Sequence, residues 1–300
     1  MNIKKIIDKL EKFLEKKSKK KKIIVIYWPT ASGKTNLSIE IAKKINSEII
    51  STDSRQIFKF LDIWTWKIKE EEKDGIKHYM LDIIEPNKKY SVWEFKNLAT
   101  ENLEKIYESW KIPILCWGTW LYIDSLIYDF KIPKIPASEI LRKELEAEAK
   151  KFWKQYLYEK LVKLDPEYAK TLHWNNLQYV IRALEIKIIS WKSKSEFIQE
   201  KKLKYDVLFL NSYDWDREKL YQNINFRVKE MFEKWLIEEI KKLLENWYKK
   251  YDFWLKTIWY KEVLEFLNWD ISLEQAILQV QQNSRNYAKR QLTWFKKYEK

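Results

Sequence analysis

Apolar residues run without a break from Ile23 to Tyr27, between a lysine cluster and a loop holding Pro29 and Gly33. A run that short and that continuous predicts a strand buried on both faces. Ile112 to Cys116 repeats the pattern, Glu48 to Thr52 is a second short strand in chain order, and Tyr79 to Ile84 is a third candidate. Helical periodicity follows the strands, from Lys34 to about Ile45, from Ser91 to about Ser109, and from about Leu121. Strands alternating with helices predict an α/β fold with a parallel sheet covered on both faces. Residues 129–138 contain Pro133 and Pro136 and read as a linker. Helical patterning then dominates, over 138–163, 175–190, 216–234, 236–249, 258–267 and 272–298. One strand, Asp206 to Leu210, interrupts it and is expected to return to the sheet. The expected division is a basic N-terminal tail (1–22), an α/β core (23–130), a helical insertion (131–200), and a return to the core with C-terminal helices (201–300).

Composition changes this picture at one point. The chain has 3 glycines and 17 tryptophans. Together they come to what glycine alone normally supplies, roughly 21 residues in this length. The tryptophans also occupy turn slots. Trp269 sits between Asn268 and Asp270, Trp235 and Trp247 fall at expected helix ends, and Trp110 and Trp191 each stand between Ser and Lys. The expectation is a source that reads UGA as glycine, with those codons here written as tryptophan. Trp294, inside the last helix, reads as a true tryptophan, and Trp93, Trp153, Trp174 and Trp215 are not assigned either way. A genuinely Trp-rich chain is the alternative.

Charge and cysteine content bound the function. Lys and Arg number 58 against 44 Asp and Glu, a net charge of +14, which suits a polyanionic partner. The first 22 residues read as a basic amphipathic helix ending in a lysine run, either a solvated tail or an auxiliary RNA contact. Cys116 alone excludes a disulfide framework and points to a reducing compartment, the cytoplasm. His78 and His173 lie far apart, so no zinc spacing exists. No apolar run is long enough to span a membrane, and residues 1–22 lack the apolar block of a signal peptide.

The chemistry starts in the loop after the first strand: Trp28, Pro29, Thr30, Ala31, Ser32, Gly33, Lys34, Thr35. With glycine at 28 this is G-x-x-x-x-G-K-T, a phosphate-binding P-loop between strand and helix. Its amides cradle phosphates, Lys34 neutralises them, and the Thr35 hydroxyl reaches Mg²⁺. An indole at position 28 is expected to crowd that cradle. The sheet is therefore expected to be P-loop NTPase-like. Asp53, Ser54, Arg55 and Gln56 follow the second strand, which places Asp53 at a strand's C-terminal end, as a base, a water-mediated Mg²⁺ ligand or a turn cap. Cys116-Trp117-Gly118-Thr119-Trp120-Leu121-Tyr122 reads C-G-G-T-G-L-Y with glycines restored, a loop whose backbone approaches a ligand closely.

These segments together resemble the tRNA dimethylallyltransferase (tRNA isopentenyltransferase) family. The resemblance runs in order through the P-loop, DSRQ, Asp62 to Thr65, Tyr90 to Phe95 and C-G-G-T-G-L-Y. It continues through Gln178-Tyr179-Val180-Ile181-Arg182-Ala183-Leu184-Glu185, Trp235 to Glu239, Ile258 to Glu262 and Tyr287 to Phe295. It implies transfer of a dimethylallyl group from dimethylallyl pyrophosphate to N6 of adenosine 37 in tRNA, by an Mg²⁺-dependent, nucleotide-binding P-loop protein acting as a monomer on the anticodon stem-loop. It implies that Asp53 holds N6 and takes its proton, and that Thr119 and Arg227 flank the bridging oxygen. It further implies tRNA contacts from Asp53 to Gln56, from Gln178, Tyr179, Val180, Ile181, Arg182 and Ala183, and from Tyr260 and Lys261. Asn223 and Tyr179 depart from the family pattern, where Arg is usual. Arg285, Lys289 and Arg290 share a helical face, read as solvated or RNA-facing. The rival readings are an adenylate isopentenyltransferase, a P-loop small-molecule kinase and a non-catalytic RNA-binding module. The first two leave the insertion or the DSRQ and C-G-G-T-G-L-Y segments unexplained, and the third leaves the phosphate loop unexplained.

Overall fold

The first strand, β1 (Lys22–Tyr27), turns successive side chains into two different cores. Ile23, Val25 and Tyr27 pack with Phe95, Leu103, Ile123 and Phe295 on one side of the sheet, while Ile24 and Ile26 pack with Leu10, Leu37 and Ile41 on the other. That two-sided burial is why the run contains no polar position. The computed structural model describes residues 3–63, 65–116, 118–128, 135, 137–197, 202–211, 216–246, 248 and 259–298. Most of the expected linker, together with Trp64, Trp117, Trp215, Trp247 and Trp254, lies outside the described residues.

Five parallel strands form the sheet in the order β3-β2-β4-β1-β5, with β2 at Ile49–Ser51, β3 at His78–Tyr79, β4 at Ile114–Cys116 and β5 at Asp206–Asn211. The returning strand β5 pairs with β1 along its whole length, from Lys22 opposite Asp206 to Tyr27 opposite Asn211. The third strand is shorter than its apolar pattern predicts. Met80 and Asp82 adopt left-handed backbone (φ 67° and 53°), which turns the chain off the sheet, so Ile84 reaches only an isolated bridge to Phe58.

The helices of the core are α1 (Ile3–Glu15), α2 (Lys34–Lys44), α3 (Glu70–Lys73), α4 (Val92–Glu108) and α5 (Trp120–Ile127). Ser91 and Glu94 close a reciprocal capping box at the start of α4, as the sequence signature S-x-x-E requires. Helix α1 is more than a solvated tail. Ile6, Leu10 and Phe13, one face at helical spacing, are buried against the sheet. The lysine run that follows leads into the N-terminal end of β1, opposite the end from which the P-loop leaves. Two of its members pair locally, Lys16 with Asp206 at 3.0 Å and Lys21 with Glu104 at 2.5 Å.

Residues 129–202 form a separate compact unit. In it α6 (Glu139–Leu164), α7 (Pro166–Ala169) and α8 (Leu177–Ser190) share a core of Leu145, Leu157, Leu161, Val180 and Leu184. Glu185 is buried there and neutralised by Arg142 and Arg182 at 2.8 and 2.5 Å. The remaining helices belong to the sheet unit: α9 (Arg217–Glu233), α10 (Leu236–Glu245), α11 (Tyr260–Leu267) and α12 (Leu273–Phe295). No helix among the described residues is long and apolar enough to cross a membrane.

The tryptophans stand out in the backbone. Of thirteen described non-glycine residues at positive φ, seven are tryptophan: 66, 110, 153, 191, 235, 259 and 269. Trp191 closes α8 and Trp235 opens α10 in left-handed conformation, and Trp153 breaks α6 at φ 72°. A bulky side chain there is a conformational outlier. Trp110, Trp191 and Trp269 are 97%, 84% and 92% exposed, so burial does not offset the strain. Replacing Trp191 or Trp269 by glycine should stabilise the fold by about 1 kcal/mol each, the cost of left-handed backbone outside glycine. Urea denaturation checks this, and unchanged or lowered midpoints would show that the backbone is not left-handed at these positions.

Candidate active site

Three loops leave the C-terminal ends of β1, β4 and β2, which lie side by side in the sheet, and they meet above it. This is where open parallel sheets bind their ligands. The first loop, residues 28–33, turns sharply into α2. Gly33 at the turn has φ 82°, a conformation that glycine adopts without strain. The loop is braced internally, with the Ser32 hydroxyl and the Lys34 ammonium donating to the Pro29 carbonyl at 2.8 and 2.5 Å. Trp28 does not crowd the cradle as expected. Its indole is buried in the core beneath, edge-on to Tyr27.

Helix α9 supplies a second cation from the other side. The Arg227 guanidinium donates to the Thr30 hydroxyl at 2.8 Å, and the Asn223 amide reaches the Ala31 carbonyl at 3.5 Å. Lys34, Thr35, Asn223 and Arg227 line one pocket with Gly33 and Trp66. Burial pulls Lys34 down to about 8, with the neighbouring Arg227 charge lowering it further while Cys116 and Asp53 oppose the shift. Burial likewise brings Arg227 down to about 10. Two desolvated cations beside the amino end of a helix favour a compact polyanion.

The other two loops bring the polar groups. Thr119, which precedes α5, accepts the Ser54 backbone N–H through its hydroxyl at 3.0 Å, and its own N–H donates to the Thr52 carbonyl at 3.2 Å. This locks the β2 and β4 loops together. Asp53 accepts the Arg55 N–H at 2.8 Å, so it does cap its turn. Burial raises its carboxyl above the usual range, against the opposing pull of the Arg55 N–H and of the Arg55 and Lys34 charges. A carboxylate so placed has the raised basicity of a proton acceptor. Among the described residues no cluster of three or more His, Cys, Asp or Glu forms a metal site. Thr35 at the head of α2 offers one oxygen, which suits Mg²⁺ held mainly by phosphates and water.

The expected RNA-contacting residues separate into two kinds. Ser54, Arg55, Gln178, Tyr179, Arg182 and Lys261 retain exposed surface. Gln56 and Tyr260 are fully buried, and Val180, Ile181 and Ala183 belong to the core of the 129–202 unit. Gln56 accepts the Ser51 hydroxyl and donates to the Thr65 and Trp66 carbonyls, which holds loop 61–67. The Tyr260 hydroxyl donates to Glu239 at 3.1 Å, and Glu239 in turn accepts the N–H groups of Asp62 and Ile63 at 2.8 and 2.7 Å. Both motifs therefore shape the loop beside the pocket, and these side chains present no surface to a partner.

The IPP transferase family model matches residues 56–298. A tRNA dimethylallyltransferase of Acetivibrio thermocellus is 45% identical, covering 92% of this chain and 89% of its own length. One of Alkaliphilus oremlandii is 44% identical over 93% of this chain and 90% of its own. The solved tRNA isopentenylpyrophosphate transferase of Bacillus halodurans superposes with a TM-score of 0.66 at 40% identity, covering 92% of this chain and 87% of that one. A eukaryotic dimethylallyltransferase solved acting on tRNA gives 0.79 at 32% identity, covering 92% of this chain and 70% of that one. The chain belongs to the tRNA dimethylallyltransferase family. As a member it is a transferase enzyme of tRNA modification, on a parallel sheet with helices.

Sequence reading of this family member missed the groups that hold the site from a distance. Glu239 and Lys67 are two. The Lys67 ammonium is buried between Asp62 at 2.6 Å, Asp82 at 2.5 Å and the Phe58 carbonyl at 2.8 Å. Both lie in or beside the resembling motifs; the loop partners of Glu239 are 176 and 177 residues away, while Lys67 pairs nearby but its burial is not visible in its spacing. The lowered Lys34 sets a pH test. Below about 8 the free protein carries a charged Lys34, while above it the lysine must take up a proton to engage an anion. The affinity gap for inorganic pyrophosphate between wild type and Lys34→Gln should close as pH rises through that value, as read by titration calorimetry. A gap that stays constant would show that Lys34 does not titrate there.

Proposed function

We propose that this enzyme transfers the dimethylallyl group of dimethylallyl pyrophosphate to N6 of adenosine 37 in tRNA. The observation that carries the reading is the meeting of Lys34 and Arg227 in one pocket, with the Asp53 charge acting on both and the Thr119 hydroxyl tied to the neighbouring Ser54 N–H, in a chain of this family. In the proposed step the allylic C1–O bond breaks as the C1–N6 bond forms. Negative charge gathers on the departing pyrophosphate, where the loop amides, Lys34 and Arg227 stabilise it. Thr119 hydrogen-bonds its bridging oxygen. The N6 proton passes to Asp53, whose burial-raised carboxyl accepts it. The adenine leaves the anticodon-loop stack to reach this pocket, and the basic surface holds the loop's phosphates. Mg²⁺ would be held by the Thr35 hydroxyl and would supply charge neutralisation to the pyrophosphate. The proposed setting is the cytoplasm and the proposed state a monomer, with ATP-type nucleotide binding by the same loop as the kinase alternative.

The proposal includes the identity of the tryptophans. At the positive-φ positions, and at Trp28 and Trp117 of the two ligand loops, we read the natural residue as glycine, through UGA decoded as glycine. The seven left-handed tryptophans support this, since glycine is the residue that such backbone selects. Trp294 differs: it lies within α12, where the backbone is helical and has no need of glycine.

Incubation with labelled dimethylallyl pyrophosphate and either tRNA or AMP tests the activity. Label in tRNA supports the reading, label in AMP replaces it by the adenylate enzyme, and ATP consumption without label replaces it by a kinase. Asp53→Ala should slow single-turnover transfer by about 10²–10⁴-fold with tRNA binding kept; an unchanged rate removes Asp53 from the chemistry. Peptide mass spectrometry of the protein from its source should find glycine at 191, 235 and 269, and tryptophan masses there reject the recoding.

A further inference from the structure

Gln291, on α12, uses both ends of its side-chain amide on the ligand loops. Its oxygen accepts the backbone N–H of Thr30 in the P-loop at 3.0 Å, and its nitrogen donates to the Gly118 carbonyl at 3.1 Å. The residue is buried, and it is 261 positions from Thr30 and 173 from Gly118. Thr30 carries the hydroxyl that receives Arg227, and Gly118 precedes Thr119. One amide therefore fixes the spacing between the two groups that the proposed mechanism places around the bridging oxygen. A buried amide satisfied at both ends has one orientation, because reversing it sets donor against donor and acceptor against acceptor. Gly118 fits this arrangement closely. A Cβ there falls 2.2 Å from the Gln291 nitrogen, so any side chain at 118 expels the amide.

We infer that Gln291 is a positioning residue for the transfer step, which clamps the P-loop to the Gly118–Thr119 loop and for which glycine at 118 is the required seat. The inference rests on the proposed reaction and deepens it. Loops misplaced by an ångström or so cost about 10²-fold in rate. Gln291 is buried and its two loop contacts are to Thr30 and Gly118, so its loss is expected to fall on the chemical step.

The test is a double-mutant cycle read by single-turnover transfer from dimethylallyl pyrophosphate to tRNA. Gln291→Ala and Gly118→Ala should each slow transfer by about 10²-fold, with tRNA affinity unchanged and inorganic pyrophosphate affinity lowered less than the rate. Gln291→Glu should be as slow as Gln291→Ala, because its carboxylate keeps the Thr30 acceptor but opposes the Gly118 carbonyl. Combined with Gln291→Ala, the Gly118→Ala change should cost nothing more, since the atom it displaces is gone. Gln291→Met keeps the side chain's bulk, and thermal melting reports whether each variant is folded. A folded Gln291→Met at the wild-type rate overturns the inference, as does a Gly118→Ala penalty that persists in full without Gln291. Failure of the wild-type enzyme to label tRNA overturns the functional reading instead, so the two failures are distinct.

Discussion

The site is organised around two positive charges withdrawn from water. Lys34 and Arg227 come from helices at opposite ends of the sequence, and burial disfavours the charge on both. Desolvated cations are costly unless an anion compensates them. Part of the compensation is internal, through the Pro29 carbonyl, the Thr30 hydroxyl and the Asp53 carboxylate. The remainder suits the diphosphate of the proposed donor, whose charge would increase as it leaves an allylic carbon. A site that holds this leaving group more strongly as its charge grows favours the transition state over the ground state.

That requirement accounts for the way the fold returns on itself. The P-loop lies near the start of the chain, yet its partners Arg227 and Gln291 come from α9 and α12. The chain leaves the sheet, forms the 129–202 unit, and re-enters as β5 alongside β1, which brings α9 and α12 to the P-loop end. Leu220 and Ile224 of α9 pack against Ala288 of α12, with Ala31 of the P-loop beside them. The apolar contact sets the distance between the helices, and the polar ends of Arg227 and Gln291 then read the loop. Packing and catalysis are in this sense one arrangement.

Strands β1 and β4 were legible because burial on both faces leaves a continuous apolar run, β2 and the edge strand β5 from the shorter runs Ile49-Ile50 and Val207 to Leu210, and the P-loop because its spacing is local. Roles inside motifs were not. Gln56 and Tyr260 sit in segments that resemble RNA-contacting motifs, yet their side chains are buried as loop supports. A linear motif records that a residue type is needed and says nothing of which way it points. The side chains of Val180, Ile181 and Ala183 are buried for a simpler reason. On a helix with one buried face, positions three and four apart turn to the core in every turn, and within this motif Gln178, Tyr179 and Arg182 keep exposed surface. Gln291 was invisible because its partners are far away in sequence, and Trp28 misled because an indole has a second choice, the core under the loop.

Trp66 joins the composition to the chemistry. Its backbone is left-handed at φ 49°, its carbonyl is held by Gln56, and its ring lines the pocket with the Arg227 guanidinium 4.6 Å and the Lys234 ammonium 5.2 Å from its centroid. A cation stacked on an aromatic face is stabilised there, so the indole competes for Arg227 with any anion entering the pocket. Glycine at 66, which the proposed recoding supplies, relieves the backbone and removes the competitor in one change. The left-handed turn is then part of the mechanism's geometry: it lets loop 61–67 fold back to Gln56 and Glu239 without placing a side chain over the cation that the leaving group needs.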